Sequence, residues 1–191
     1  MSGTYPSTPE FSAVKLESLQ PNLVTETRTG RRQVRSVGGQ RWAFTAKYND
    51  LTRAEFMPVY AFVIAQAGQF ETFTIVPPVI GSTAGTATGS VTSSAASIGA
   101  TSVTISGLTG ILKAGDFVKF ASHSKVYMVA ADRSGAGSLS ILPALVAAAS
   151  SGGTVTYNSV PFTVRLNNDI QSYSLSGYDR YNYEVDLVEA L

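Results

Sequence analysis

The amino-acid sequence predicts a mainly β protein of the α+β kind: an antiparallel, β-sandwich-like domain with one helix, interrupted by an inserted small all-β barrel or sandwich. Three observations predict it. Stretches toward both ends alternate apolar and polar residues with a period of two. A single stretch carries the stripe of an amphipathic helix. The middle of the chain is a series of short β-rich runs separated by Gly, Ser and Asp turns and almost free of charge.

Taken in order, Trp42, Phe44, Ala46 and Tyr48 alternate with Arg41, Ala43, Thr45 and Lys47, as a half-buried strand with one wet face requires. Thr52-x-x-Glu55 has the spacing of a capping box, with Leu51 and Phe56 placed as its hydrophobic staple. Phe56, Val59, Tyr60, Val63 and Ile64 then form the apolar face expected to meet the core, and Gly68 stands where a left-handed residue closes a helix. Pro58 conflicts with that helix and predicts a kink or a restart there. Residues 70–76 resume as a strand, which Pro77-Pro78 terminates because proline donates nothing to a sheet ladder.

The run GSTAGTATGSVTSSAAS at 81–97 lacks charge and large side chains, so burial offsets little of its ordering entropy, and a loop or loosely held strand is expected. Five short strands follow at 102–106, 117–121, 125–130, 139–142 and 154–157. Ser122-His123-Ser124 and Gly135-Ala136-Gly137 read as hairpin turns between them; the latter lacks the third glycine, helix and acidic residue of a dinucleotide fingerprint. Val160, Phe162, Val164 and Leu166, and again Tyr181, Tyr183, Val185 and Leu187, restore the two-residue period, with one more short strand at 170–175. Charge divides the same way: residues 1–78 hold eight basic and six acidic residues, 79–158 four and two, and 159–191 two and five. The expected organisation is therefore one discontinuous domain, 1–78 with 159–191, around an insertion at 79–158.

The 191 residues carry a net charge of +1, no Cys and one His. Disulfides, thiolate nucleophiles and Cys- or His-rich metal centres are excluded on that count. No catalytic residue, cofactor or metal ligand is expected: His123 reads as a solvated turn residue, and Glu184 with Asp186 as an exposed or interface-facing strand edge. MSGTYPSTPE has neither a basic start nor an apolar stretch, so no signal peptide or membrane span is expected and synthesis in a cytoplasm follows.

The most informative charge feature is basic. Arg28, Arg31, Arg32, Arg35, Arg41 and Lys47 fall within 27–49, which contains no Asp or Glu. Planar, bidentate arginine suits carboxylates at an interface. The favoured partner is the acidic C-terminal part, with Asp179, Glu184 and Asp186, met within one chain or on a neighbour. Simple solvation is a second reading. Nucleic acid is a third, with Trp42, Phe44 and Tyr48 as base-stacking rings, but their alternation turns those rings toward a core.

Several segments resemble a family of virion proteins of tailed bacteriophages. They are Arg41-Trp42-x-Phe44, Leu51-Thr52-Arg53-x-Glu55-Phe56 with Pro58, Gln69-Phe70-Glu71-Thr72-Phe73-Thr74-Ile75, Val160-Pro161-Phe162-Thr163-Val164-Arg165-Leu166-Asn167-Asn168-Asp169 and Tyr183-Glu184-Val185-Asp186-Leu187. The run from Leu112 to Phe120, then Lys125-Val126-Tyr127-Met128-Val129 and Ile141-Leu142-Pro143-Ala144-Leu145, is similar to a module inserted in such tail components. The resemblance implies a distal tail or baseplate-hub protein located in the virion tail. It implies a homo-oligomer, usually a hexameric ring built by a belt domain, whose partners are the tail tube and hub or fibre proteins. No membrane is implied, and no nucleic acid beyond DNA passing through the ring lumen. Basic and acidic patches would then meet in a head-to-tail contact, making Arg28, Arg31, Arg32, Arg35, Arg41, Asp179, Glu184 and Asp186 the expected subunit interface. The alternatives are a carbohydrate-binding adhesion module using Tyr127 and Tyr157, a tail-tube or tail-completion component, and a hydrolase drawing on Asp116, Asp132, Glu184 and Asp186.

Overall fold

A computed structural model describes residues 3–177 and 179–191. In chain order the elements are β1 (Ala13–Leu19), β2 (Asn22–Glu26), β3 (Arg32–Ser36), β4 (Arg41–Leu51), α1 (Arg53–Ala65) and β5 (Phe73–Ile75). There follow β6 (Thr92–Ser93), β7 (Ser102–Ser106), β8 (Ile111–Leu112), β9 (Phe117–Phe120), β10 (Val126–Val129), β11 (Arg133–Ser134), β12 (Gly137–Leu142) and β13 (Gly153–Thr156). The chain ends with β14 (Phe162–Leu166), β15 (Tyr173–Ser176) and β16 (Arg180–Glu189). Among the described residues the fold is mainly β with a single helix.

Strands from both ends of the chain build one antiparallel sheet in the order β1-β4-β16-β14-β5, with β15 added beside the first residues of β16. Register aligns the apolar period across it. Phe44 sits between Leu16 and Leu187, and Ala46 between Val14 and Val185. A one-residue slip of any strand would turn this row outward, so the buried face itself fixes the pairing. That face is covered by Phe56, Val59 and Val63 of α1, by Tyr5, and by Phe117 and Val126 of the middle segment.

The middle segment closes into a barrel in the order β10-β12-β7-β6-β13-β9, around a second core that includes Val103, Ile105, Phe120, Tyr127, Leu139 and Ile141. Barrel closure removes sheet edges. The Gly/Ser/Thr run supplies the sixth strand, β6, which joins β7 to β13. β8 and β11 pair as a separate two-stranded ribbon.

Several expectations need correction. The helix runs without interruption from Arg53 to Ala65 with Pro58 inside it. A proline six positions from the cap removes one hydrogen bond, while the Glu55 carboxylate, accepting from the Thr52 N–H at 2.9 Å and its hydroxyl at 2.7 Å, holds the first turn. Only part of the expected helical face meets the core: Phe56, Val59 and Val63 are buried, Tyr60 is half-buried, and Ile64 is 53% exposed. At 100° per residue Ile64 lies about 100° around the axis from Val63, beyond the arc the sheet covers. The left-handed closure begins one residue earlier than Gly68, at Ala67 (φ 53°), and Gly68 (φ 66°) continues it. Of residues 70–76 only Phe73–Ile75 is strand; Phe70 is 81% exposed. Gly135-Ala136 bends the chain between β11 and β12 and Gly137 already opens β12, and this is not a hairpin because β11 and β12 belong to different sheets.

Candidate functional site

The basic cluster lies on an arm. β2 and β3 pair with each other as an isolated antiparallel ribbon, and all ten of their residues are exposed. Thr27 closes the tip: its carbonyl accepts from Gly30 N–H at 2.8 Å and its hydroxyl from Arg31 N–H at 3.1 Å. Arg28 and Arg31 belong to this tip, and Arg32 and Arg35 to β3. Arg41 is the exposed first residue of β4. Leu23, Val24, Val34 and Val37 stand exposed among these arginines, with Val24 directly opposite Val34.

Of the expected pairings between the basic cluster and the acidic C-terminal part, one forms within the chain, through Lys47. Glu184 pairs with Lys47 across β16 and β4 at 2.8 Å, and Asp186 accepts the Thr45 hydroxyl at 2.8 Å. Asp179 is exposed in the turn before β16. Among the described residues, no arginine of the cluster forms an ion pair with any of these three carboxylates. Trp42, Phe44 and Tyr48 are buried, so no ring of β4 is free to stack on a base.

A second edge carries the opposite charge. Among the described residues β15 pairs only with β16, all four of its residues are exposed, and Ile170, Tyr173 and Leu175 present apolar surface there. Asp169 and Asp179 flank this strand. Asp169 Oδ1 accepts from Gln69 N–H at 3.0 Å, and the Arg180 guanidinium donates to the Asp50 carbonyl at 3.2 Å.

The sheet and the barrel meet at a buried polar seam that the sequence reading missed. The Lys125 side chain is fully buried; its ammonium donates to the Gln40 carbonyl at 3.0 Å, to Gln40 Oε1 at 2.7 Å and to Glu189 Oε2. Glu189 in turn accepts from the Trp42 N–H at 3.1 Å and the Val126 N–H at 2.9 Å, and the Trp42 indole donates to the Val126 carbonyl at 2.9 Å. Burial pulls the Lys125 ammonium below its ordinary pKa, and Glu189 opposes that shift. The signal that could have found Glu189 is parity, since it shares the buried face of β16 with Leu187 and a carboxylate there needs a partner. Beside the seam a cavity of about 590 Å³ opens among Pro21 and Ser36 at the arm's base, Trp42, and Met128 and Pro143 of the barrel.

The residues of the rival readings have structural partners. Asp116 is buried and accepts from the Thr83 hydroxyl at 2.6 Å, Ala84 N–H at 2.7 Å and Lys113 N–H at 2.8 Å. Asp132 pairs with Lys113 at 2.6 Å and accepts from Ala114 N–H at 2.8 Å. Tyr127 is buried, with its hydroxyl 2.8 Å from His123 Nε2 and accepting from Val146 N–H at 3.1 Å. The other ring nitrogen of His123, Nδ1, lies 2.9 Å from Ser122 Oγ, so both imidazole nitrogens have hydroxyl partners. The Tyr157 hydroxyl donates to the Gly89 carbonyl at 2.8 Å.

Among the described residues no group of three or more His, Cys, Asp and Glu is placed to hold a metal, and no helix is long and apolar enough to cross a membrane. No protein-family model matches the chain, and no curated protein matches it.

Proposed function

We propose that the chain is a structural subunit that forms a ring at the distal end of a bacteriophage tail, joining the tail tube to the hub or receptor-binding apparatus. The sequence resemblance names the setting. The observation that carries the reading is the β2–β3 arm, a two-stranded ribbon whose ten residues are all exposed and include Leu23, Val24 and Val34. A lone two-stranded ribbon is marginally stable in water at best, so an arm of this kind is built to be covered. A ring subunit gives it a place to lie, because cyclic assembly brings two different surfaces of one chain together.

Negative-stain imaging and analytical ultracentrifugation of the purified protein test the reading. A ring with a central hole and a fixed, hexameric stoichiometry is expected. A single monomeric species at every concentration, with no protomer found in assembled virions, overturns it.

A further inference from the structure

We propose that the β2–β3 arm of one protomer docks against the open edge of β15 on the next copy, as the head-to-tail contact of the assembly. This rests on the reading of the chain as a self-assembling subunit and names the two surfaces that meet.

The two elements are complementary in three respects. In backbone, the outer edge of β15 has no strand partner among the described residues, and each strand of the arm pairs only with the other. Unpaired edges of this kind template the addition of a strand from another chain. In apolar surface, Leu23, Val24 and Val34 on the arm face solvent, as do Ile170 and Leu175 at the edge, beside the part-exposed Tyr173 ring that packs on Phe56, Tyr60 and Tyr181. In charge, the arm carries Arg28, Arg31, Arg32 and Arg35 against the single Glu26, whereas Asp169 and Asp179 flank β15. Arg180 is the basic residue nearest the edge in sequence, and its guanidinium is turned to the Asp50 carbonyl.

The arm's own mirror image does not meet these needs. Two arms facing each other would set four arginines against four arginines, and like charges across an interface oppose association. Because the donor and acceptor surfaces differ, each copy uses both, and the contact propagates until it closes.

Charge reversal in complementary halves tests the contact. Variant A carries Arg31→Glu, Arg32→Glu and Arg35→Glu; variant B carries Asp169→Lys and Asp179→Lys. Each alone is expected to weaken self-association at least tenfold by sedimentation velocity, with unchanged circular dichroism. An equimolar mixture is expected to recover assembly, since the acidic arm of A fits the basic edge of B and the unaltered surfaces still match. As a check independent of charge, Leu23→Cys with Leu175→Cys in this cysteine-free chain is expected to give intermolecular disulfides on mild oxidation, while neither single substitution does.

A wild type that assembles, with A and B assembling undiminished, overturns the proposal and leaves the ring reading standing. Cross-linking by Leu23→Cys alone overturns it in favour of an arm-to-arm contact. If A assembles normally but loses retention of duplex DNA, the arm is a nucleic-acid element and the proposal falls. A monomeric wild type overturns both readings.

Discussion

Replacing Lys125 by methionine keeps most of the side chain's volume and removes its charge. In the folded protein this strands the Glu189 carboxylate, which keeps only the Trp42 and Val126 N–H groups, and leaves both Gln40 oxygens without their shared donor. Breaking a buried ion pair from one side costs about 3–5 kcal/mol, because the remaining charge is buried uncompensated. For a domain of this size each kcal/mol moves the midpoint by about 2–4 °C, so a fall of roughly 6–20 °C is expected in thermal melts followed by circular dichroism. The double variant Lys125→Met with Glu189→Gln keeps an oxygen for the strand N–H groups and removes the stranded charge. It should recover more than half of the loss, giving a coupling energy of at least about 2 kcal/mol in the double-mutant cycle, larger by whatever Glu189→Gln costs alone. A loss below about 1 kcal/mol for Lys125→Met, or a double variant less stable than either single one, would refute the account of the seam as a mutually dependent pair.

Phe56→Ala should cost about 3–5 kcal/mol in urea unfolding, whereas Ile64→Ala should change stability by no more than about 0.5 kcal/mol, since only the first faces the sheet. Equal costs would contradict the helix orientation described above. Gly89 sits at φ 96° with the Gly107 carbonyl oxygen 2.5 Å from where a Cβ would lie, so Gly89→Ala should lower stability by at least about 2 kcal/mol. Burial, then the Lys119 charge, depress the His123 pKa below its ordinary 6.5. The unfolded chain therefore takes up the proton first as pH falls; stability is complete above pH 6.5 and declines below it, through the folded pKa. Melting temperatures of wild type and His123→Gln measured across this interval should converge toward the acid side. Parallel curves would remove His123 as the cause. Glu55 and Asp132, whose hydrogen bonds hold their carboxyl groups below the usual range, act at lower pH and leave the interval clear.

How much of this was legible in the sequence depended on whether a residue is buried. β4, β14 and β16 each have one dry face, so their apolar residues recur every second position and the strands could be read directly. The arm has no dry face. With every residue of β2 and β3 in water, hydrophobic periodicity has nothing to report, and its arginines could be counted but not placed on a ribbon. β1 lies between: Val14 and Leu16, alternating with Lys15 and Glu17, carried a signal that went unused. The Gly/Ser/Thr run pointed to a loop because its side chains are small, but β6 is held by neighbours on both sides rather than by its own burial. The seam was hidden for another reason. Gln40, Lys125 and Glu189 are separated by 85 and 64 residues, and no local pattern couples positions that far apart.

The two faces of β10 belong to different interiors. Val126 and Met128 pack with the sheet, while Tyr127 and Val129 pack inside the barrel; on β9, Phe117 and Val118 divide the same way. These strands act as a party wall, so the barrel is not a bead hung on two tethers. A load applied to its far side reaches the sheet through interlocked side chains, and the pair should bear tension as one rigid body. Cutting the module out would uncover Trp42 and Phe162, which pack on Phe117 at ring-centroid distances of 5.1 and 5.5 Å. Any transplant of the barrel to another scaffold therefore has to bring its aromatic seat along.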